Sequence, residues 1–143
     1  MEETSYTRHF PPPGFEPYPA ISPFMALLGP MYAHKEGDHN ITVGLFVQEH
    51  HLNHQEIVHG GVAATLADNA MGYQASHALG GPVATVNLAV DYLASIRAGD
   101  WLEVRSRIDR KGNRMLFLAC MGTVGDRLVF RAHAVFSAVR RRS

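Results

Sequence analysis

Cysteine is almost missing from this chain. Cys120 is the only one, so no intramolecular disulfide can form and a secreted, disulfide-stapled scaffold is excluded. Net charge is missing too. Thirteen basic residues balance thirteen acidic ones, so no global field draws the protein to nucleic acid and no nucleic-acid partner is expected. No apolar run approaches the roughly 20 residues that span a bilayer, so no membrane partner is expected either. Met1 to Phe10 are polar and mixed in charge, without the apolar core of a secretory leader. Together these absences point to a cytoplasmic protein.

What is present is enough for a core: 143 residues, 46% of them apolar and 18% charged, suit one globular domain. Residues 1–20 carry Pro11, Pro12, Pro13, Pro17 and Pro19. Proline opposes helix and removes sheet donors, so this segment is expected to be an extended arm, with the domain proper over 21–143. Ser22-Pro23 reads as the cap and first turn of a short helix to Leu28, closed by Gly29-Pro30. Met31–His39 reads as a polar bridge.

From Ile41 the apolar period becomes two, through Val43, Leu45 and Val47, as in a half-buried strand. After a histidine-rich loop, Gly60-Gly61 opens a helix over about Val62–Leu79, stopped by Gly80-Gly81-Pro82. It looks apolar nearly all round, the mark of a buried helix. Strands follow. Val86, Leu88, Val90 and Tyr92 alternate with smaller or polar residues, as do Leu102, Val104, Ser106 and Ile108. Lys111-Gly112-Asn113 makes a hairpin connection, and Met115–Val124, apolar on both faces, suits the middle of a sheet. Leu128–Val139 is the last strand. The fold class is therefore α+β, an antiparallel sheet covering one long helix. One sheet of this size cannot cover a helix that is apolar all round, so a second copy of the chain is expected beside it.

Two features carry chemistry. Glycines at a helix start let another group approach the free amides there, which is what a developing oxyanion requires; a tight loop-to-helix turn is the plainer explanation of Gly60-Gly61. Asp68 lies about two turns into the helix, with no cationic neighbour at three or four residues. A desolvated carboxylate there suits a general base or nucleophile, and a structural aspartate bonded to a buried hydroxyl is equally open. Gly60 and Asp68 are eight residues apart, about 12 Å along a helix, so they cannot meet at one carbonyl carbon within one chain. In a two-fold dimer with antiparallel helices they can.

Asn53, five residues, His59-Gly60-Gly61, six more, then Asp68 within Leu66-Ala67-Asp68 resembles the hotdog thioesterases of the phenylacetate-pathway and 4-hydroxybenzoyl-CoA thioesterase type. The resemblance runs from Pro23-Phe24 through the final strand. It implies a hotdog fold and a double-hotdog homodimer with shared active sites; a homotetramer of two such dimers is the expected assembly, although hotdog families differ and the sequence leaves dimer and tetramer both open. It implies hydrolysis of an acyl- or aroyl-coenzyme A thioester, with no cofactor beyond the coenzyme A of the substrate and no metal. Asp68 would be the catalytic carboxylate, Gly60 the oxyanion amide, Asn53 and His59 orienting groups, and Thr85 a hydroxyl beside the carboxylate. Asp68 and Thr85 would come from one chain, and Asn53, His59 and Gly60 from the other. Gly61 and Gly72 would border the substrate. Two positions depart from the pattern: Glu56 stands where relatives commonly have glycine, and Gly72 where some have a hydroxyl.

Arg110, Lys111 and Arg114 flank the hairpin where relatives meet the nucleotide; a solvated hairpin accounts for them as well. His50, His51, His54 and His59 invite a metal, but their spacing fits no zinc pattern. Cys120, in an apolar strand, reads as core. Phe24, Met25, Leu28, Met71 and Tyr73 suit an acyl pocket, and the spacing leaves the acyl group open.

Overall fold

The computed structural model describes residues 10–19, 21–37 and 40–140. At its centre is α2 (Gly60–Leu79), a helix of 20 residues. It begins two residues earlier than expected, because its cap is a residue type rarely used for one: the His59 side chain accepts from the Gly61 amide. It ends as expected. Gly80 adopts a left-handed φ of 71° and returns its amide to the Ser76 carbonyl.

Among the described residues, seven antiparallel strands form one sheet around this helix, in the order β1-β2-β3-β5-β6-β7-β4. They are β1 (Glu16–Pro17), β2 (Tyr32–Glu36), β3 (Asn40–Phe46), β4 (Val83–Tyr92), β5 (Trp101–Lys111), β6 (Met115–Val124) and β7 (Arg127–Ala138). A single helical turn, α1 (Pro23–Ala26), lies between β1 and β2, capped by the Ser22 hydroxyl. The expected polar bridge over Met31–His39 is corrected: most of it is β2. Its alternation, Ala33 buried between half-exposed Tyr32 and His34, is too short to stand out from the sequence, and pairing with β3 supplies the order. In the proline-rich arm, Glu16–Pro17 pair with Ala33 and Tyr32 at the sheet edge, a position that tolerates proline. The first nine residues of that arm and Ala20 lie outside the described residues.

The helix is not apolar all round in the sense expected. Ala63, Leu66, Ala67, Ala70, Met71, Gln74 and Ala75 are buried, a stripe at three-and-four spacing that faces the sheet. Ala64, Thr65, Asp68, Asn69, Gly72 and Tyr73 are only half-buried. Small residues made the second face look apolar; the sheet leaves it uncovered.

Within the buried stripe, Gln74 is polar and 4% exposed. Its amide donates to Asn40 Oδ1 at 2.8 Å and its Oε1 accepts from the Ser106 hydroxyl at 2.7 Å, pinning α2 to β3 and β5. β6 lies in the interior of the sheet, as its two apolar faces suggest, with Leu116, Leu118 and Cys120 turned to the helix. Burial pushes the Cys120 thiol up to about 12. No helix among the described residues is long and apolar enough to cross a membrane.

The alternation expected in β4 is also corrected. Val86 is 55% exposed and occupies a β-bulge between Thr85 and Asn87. The bulge re-phases the strand. Thr85, paired with buried Phe136, faces the helix, and so do Leu88 and Val90, paired with Ala134 and Ala132.

Gln74→Leu keeps the bulk but leaves the Ser106 hydroxyl buried and unpaired. It is expected to lower stability by about 1–3 kcal/mol, read from urea unfolding at fixed protein concentration. Cys120 in the native protein should resist a thiol-specific disulfide reagent at pH 8 and react once the chain is unfolded.

Candidate active site

The first turn of α2 and the loop before it form one half of the site. Gly60 is the first residue of the helix, where a backbone N–H has no intrahelical acceptor. The Gly61 amide is taken by His59 Nδ1 at 2.8 Å, so the other imidazole nitrogen carries the hydrogen in the neutral ring. Asn53 organises the loop: its Oδ1 accepts from the Gln55 amide at 2.8 Å and the Ile57 amide at 3.4 Å. Among the described residues its amide nitrogen has no hydrogen-bond partner. Asn53 and Gly60 line one cavity of about 360 Å³ together with Tyr92 and Ile96.

Asp68 lies on the helix face that the sheet leaves uncovered, and is half-buried. The Thr85 hydroxyl, brought inward by the Val86 bulge, donates to Asp68 Oδ1 at 2.7 Å. Asp68 borders two cavities. One, of about 330 Å³, has Phe24, Met25 and Leu88 in its walls; the other, of about 380 Å³, has Gly72, Tyr73 and Thr85. Gly72 keeps the second one deep, since a Cβ there would stand 3.2 Å from the Phe136 ring. The structure thus joins Asp68, Thr85 and Gly72 in one place and Asn53, His59, Gly60 and Gly61 in another, separated by two turns of α2.

Residues 55–131 match the thioesterase superfamily. The chain is 40% identical over 127 residues to the Pseudomonas aeruginosa protein named "Putative esterase PA0474", an overlap of 87% of this chain and 95% of that protein. The chain belongs to the thioesterase superfamily. It is accordingly a hydrolase of thioesters, and its sheet-wrapped helix is the hotdog fold. Solved structures agree on the fold. The Escherichia coli PaaI protein from the phenylacetic acid degradation operon superposes with a TM-score of 0.73 at 20% identity, over 80% of this chain and 82% of that one. A Streptococcus pneumoniae hypothetical thioesterase with coenzyme A superposes with a TM-score of 0.72 at 24% identity, over 79% of this chain and 91% of that one.

In this thioesterase the Glu56 position acquires a physical meaning. Glu56 has a φ of 62°, the one described non-glycine residue in the left-handed region. Glycine adopts that conformation without penalty, whereas an L side chain is strained in it. The Glu56 side chain is exposed.

Among the basic residues of the β5–β6 hairpin, Lys111 stands apart from Arg110. A bulge pairs Arg110 with Phe117 and Lys111 with Leu116, which lie on opposite faces of the sheet. Lys111 donates to the Ala78 carbonyl at 3.0 Å, closing the C-terminal end of α2. Arg110 and Arg114 are exposed. Three of the loop histidines, His50, His51 and His59, bond to backbone groups. His51 is fully buried, accepts from the Gln48 amide through Nδ1 and donates from Nε2 to the Leu28 carbonyl at 2.6 Å, while His50 reaches the same carbonyl. Burial pushes the His51 imidazole below the ordinary histidine range, against the Leu28 carbonyl, which favours the proton. Among the described residues no three His, Cys, Asp or Glu side chains gather to hold a metal.

Tyr92 was not singled out by the sequence. Its hydroxyl donates to the Gly60 carbonyl at 2.7 Å, and a Cβ on Gly60 would stand 3.1 Å from it. It sits 32 residues from Gly60, beyond any local pattern. Asn69 was missed as well. Its Nδ2 is buried with no hydrogen-bond partner among the described residues.

Glu56→Gly should relieve the left-handed strain and raise stability by up to about 1 kcal/mol, seen as a higher unfolding midpoint. Tyr92→Phe removes the hydroxyl that holds Gly60, and should cost about 1 kcal/mol by the same measurement.

Proposed function

We propose that the protein hydrolyses acyl-coenzyme A thioesters, aryl or medium-chain, at sites shared between two copies of the chain. The observation that carries this is the division of one helix into two half-sites: Asp68 with Thr85 on one, Gly60 with His59 and Asn53 on the other, about 12 Å apart. Neither half is sufficient alone. An antiparallel pair of α2 helices brings Asp68 opposite Gly60 of the partner subunit and covers the face the sheet leaves bare.

Two further observations support that pairing. Among the described residues β4 pairs only with β7, so a ten-residue strand offers its free edge to another chain. Met115, Phe117 and Met121 on the outer sheet face are 40%, 42% and 42% exposed, apolar surface that suits back-to-back packing of two dimers into a tetramer. A cytoplasmic location goes with such a substrate.

The chemistry follows from the hydrogen bonds. Thr85 occupies Asp68 Oδ1, which leaves Oδ2 to take a proton from water as the water oxygen bonds to the thioester carbon. The carbonyl oxygen becomes an oxyanion against the Gly60 N–H of the partner subunit, at the positive end of its helix. The C–S bond then breaks, and the coenzyme A sulfur leaves with the proton held by Asp68. The products are a free carboxylic acid and coenzyme A thiol, with no cofactor consumed. Attack by Asp68 itself, giving a mixed anhydride that water opens, uses the same groups. Asn53 presents its amide and His59 fixes the loop, Gly61 and Gly72 leave room for the substrate, and Arg110 and Arg114 take the nucleotide phosphates. Lys111, held by the Ala78 carbonyl, contributes charge there rather than a direct contact.

Thiol release from phenylacetyl-, benzoyl-, hexanoyl- and palmitoyl-coenzyme A tests the proposal. Asp68→Asn should lower kcat by about a hundredfold or more with little change in KM. Asp68→Asn and Asn53→Ala subunits, mixed and reassembled, should recover about a quarter of native activity, because half of the random dimers carry one intact site. Native protein that binds every ester and cleaves none would sink the hydrolytic reading. Failure of mixed subunits to recover activity would sink the shared site.

A further inference from the structure

Of the two cavities that border Asp68, the larger is the better built for an acyl group. Thr85, the hydrogen-bond partner of the carboxylate, lines that cavity and not the other. It extends along α2 from Asp68 past Gly72 to Ser76, eight residues or about 12 Å. Gly72 and the Phe136 ring form its floor, and at about 380 Å³ it falls within the range of small-molecule sites.

One wall comes from outside the helix and its facing strands. Tyr18, in the proline-rich arm, is 6% exposed and lines this cavity. Its ring meets Tyr73 edge to face with centroids 6.0 Å apart, and Tyr73 in turn stacks on His77 at 4.1 Å. The Tyr18 backbone is tethered by its amide to the Met31 carbonyl at 2.9 Å, just beyond the β1–β2 pairing. The proline on each side, Pro17 and Pro19, restricts the backbone further. Burial pushes the Tyr18 phenol up, an effect offset in part by the adjacent Asn69 side chain. An aromatic ring delivered on a tethered arm, one turn along the helix from the carboxylate, is a fixed wall and not a mobile surface side chain.

We infer that Tyr18 is a specificity-determining residue: its ring sets the width of the acyl pocket beyond the thioester carbonyl and thereby the bulkiest acyl group this thioesterase accepts. This rests on the proposed placement of Asp68 at the reacting carbon. A linear acyl chain passes between the Tyr18–Tyr73 pair and the Gly72 floor, whereas a fused bicyclic group meets the Tyr18 ring. The arm therefore acts on substrate choice without touching the reacting atoms.

The test compares native protein, Tyr18→Ala, Tyr18→Phe and Phe24→Ala, the last in the wall of the smaller cavity. Two readouts are taken: kcat/KM for hexanoyl-, phenylacetyl- and 1-naphthylacetyl-coenzyme A, and calorimetric affinity for the matching non-hydrolysable thioethers. Tyr18→Ala should raise the naphthylacetyl-to-hexanoyl ratio by about tenfold or more in both readouts, the size of effect that a changed apolar pocket produces. Tyr18→Phe, which keeps the ring, should hold the native ratio and guards against reading a loosened arm as a widened pocket. An unchanged ratio in Tyr18→Ala, an equal shift in Tyr18→Phe, or a shift in Phe24→Ala instead overturns the inference. If the thioether ratio responds to Tyr18→Ala while no ester is cleaved by the native protein, the pocket assignment stands and the hydrolytic reading falls.

Discussion

The rise of a single α-helix governs this protein. Helix α2 runs unbroken over 20 residues and advances about 1.5 Å per residue, so the Gly60 amide and the Asp68 carboxylate are held apart by a distance no side chain can close. The same helix carries a buried stripe from Ala63 to Ala75, and that stripe decides which residues point at the sheet. Asp68 falls on the other face by the geometry of the helix itself. Burial of one face, exposure of the other and the spacing of Gly60 from Asp68 are therefore a single constraint seen three ways.

The sheet is adapted to that helix at a few places. The bulge at Val86 turns Thr85 toward Asp68 while keeping Leu88 and Val90 on the core face. Without it, period-two alternation would put Thr85 and Leu88 on opposite faces. Gln74 does the opposite job at the buried face, joining the helix to Asn40 and Ser106 through hydrogen bonds that fix its rotation. A helix packed only by alanines could turn by several degrees at little cost, because small side chains interlock weakly. The polar pins and the capped ends at His59 and Gly80 remove that freedom, and with it any drift of the carboxylate away from Thr85.

The loop before α2 shows where strain is accepted. Glu56 is held at positive φ within a turn that Asn53 organises through two amide bonds. His51, buried beneath it, ties the Leu28 carbonyl at the end of α1 to the segment that leads into His59. The turn at Gly60 is thus held through the His51–His59 backbone bond and by the Tyr92 hydroxyl. His50, His51 and His59 are the hydrogen-bonding frame of this loop.

Much of this was legible in the chain. The alternation of strands, the glycine stops, the long alanine-rich helix and the Asn53–His59–Gly60–Asp68 spacing are local patterns, and local patterns follow from backbone periodicity. They sufficed for the α+β class, for the arrangement around one helix and for the family. What escaped them depends on contacts between distant segments. β2 was missed because its pairing with β3, not its own composition, makes it a strand. The inward turn of Thr85 needed a bulge that alternation cannot reveal, and the Tyr92–Gly60 bond links residues far apart in the chain. The bond from Lys111 to the Ala78 carbonyl at the end of α2 likewise joins residues far apart in the chain. The sequence by itself determined the elements and the spacing along α2, because both are set by repeat distances of the backbone. Which side chains meet across that helix, and which wall Tyr18 provides, was decided only when the sheet closed around it, because packing depends on atoms brought together from separate strands.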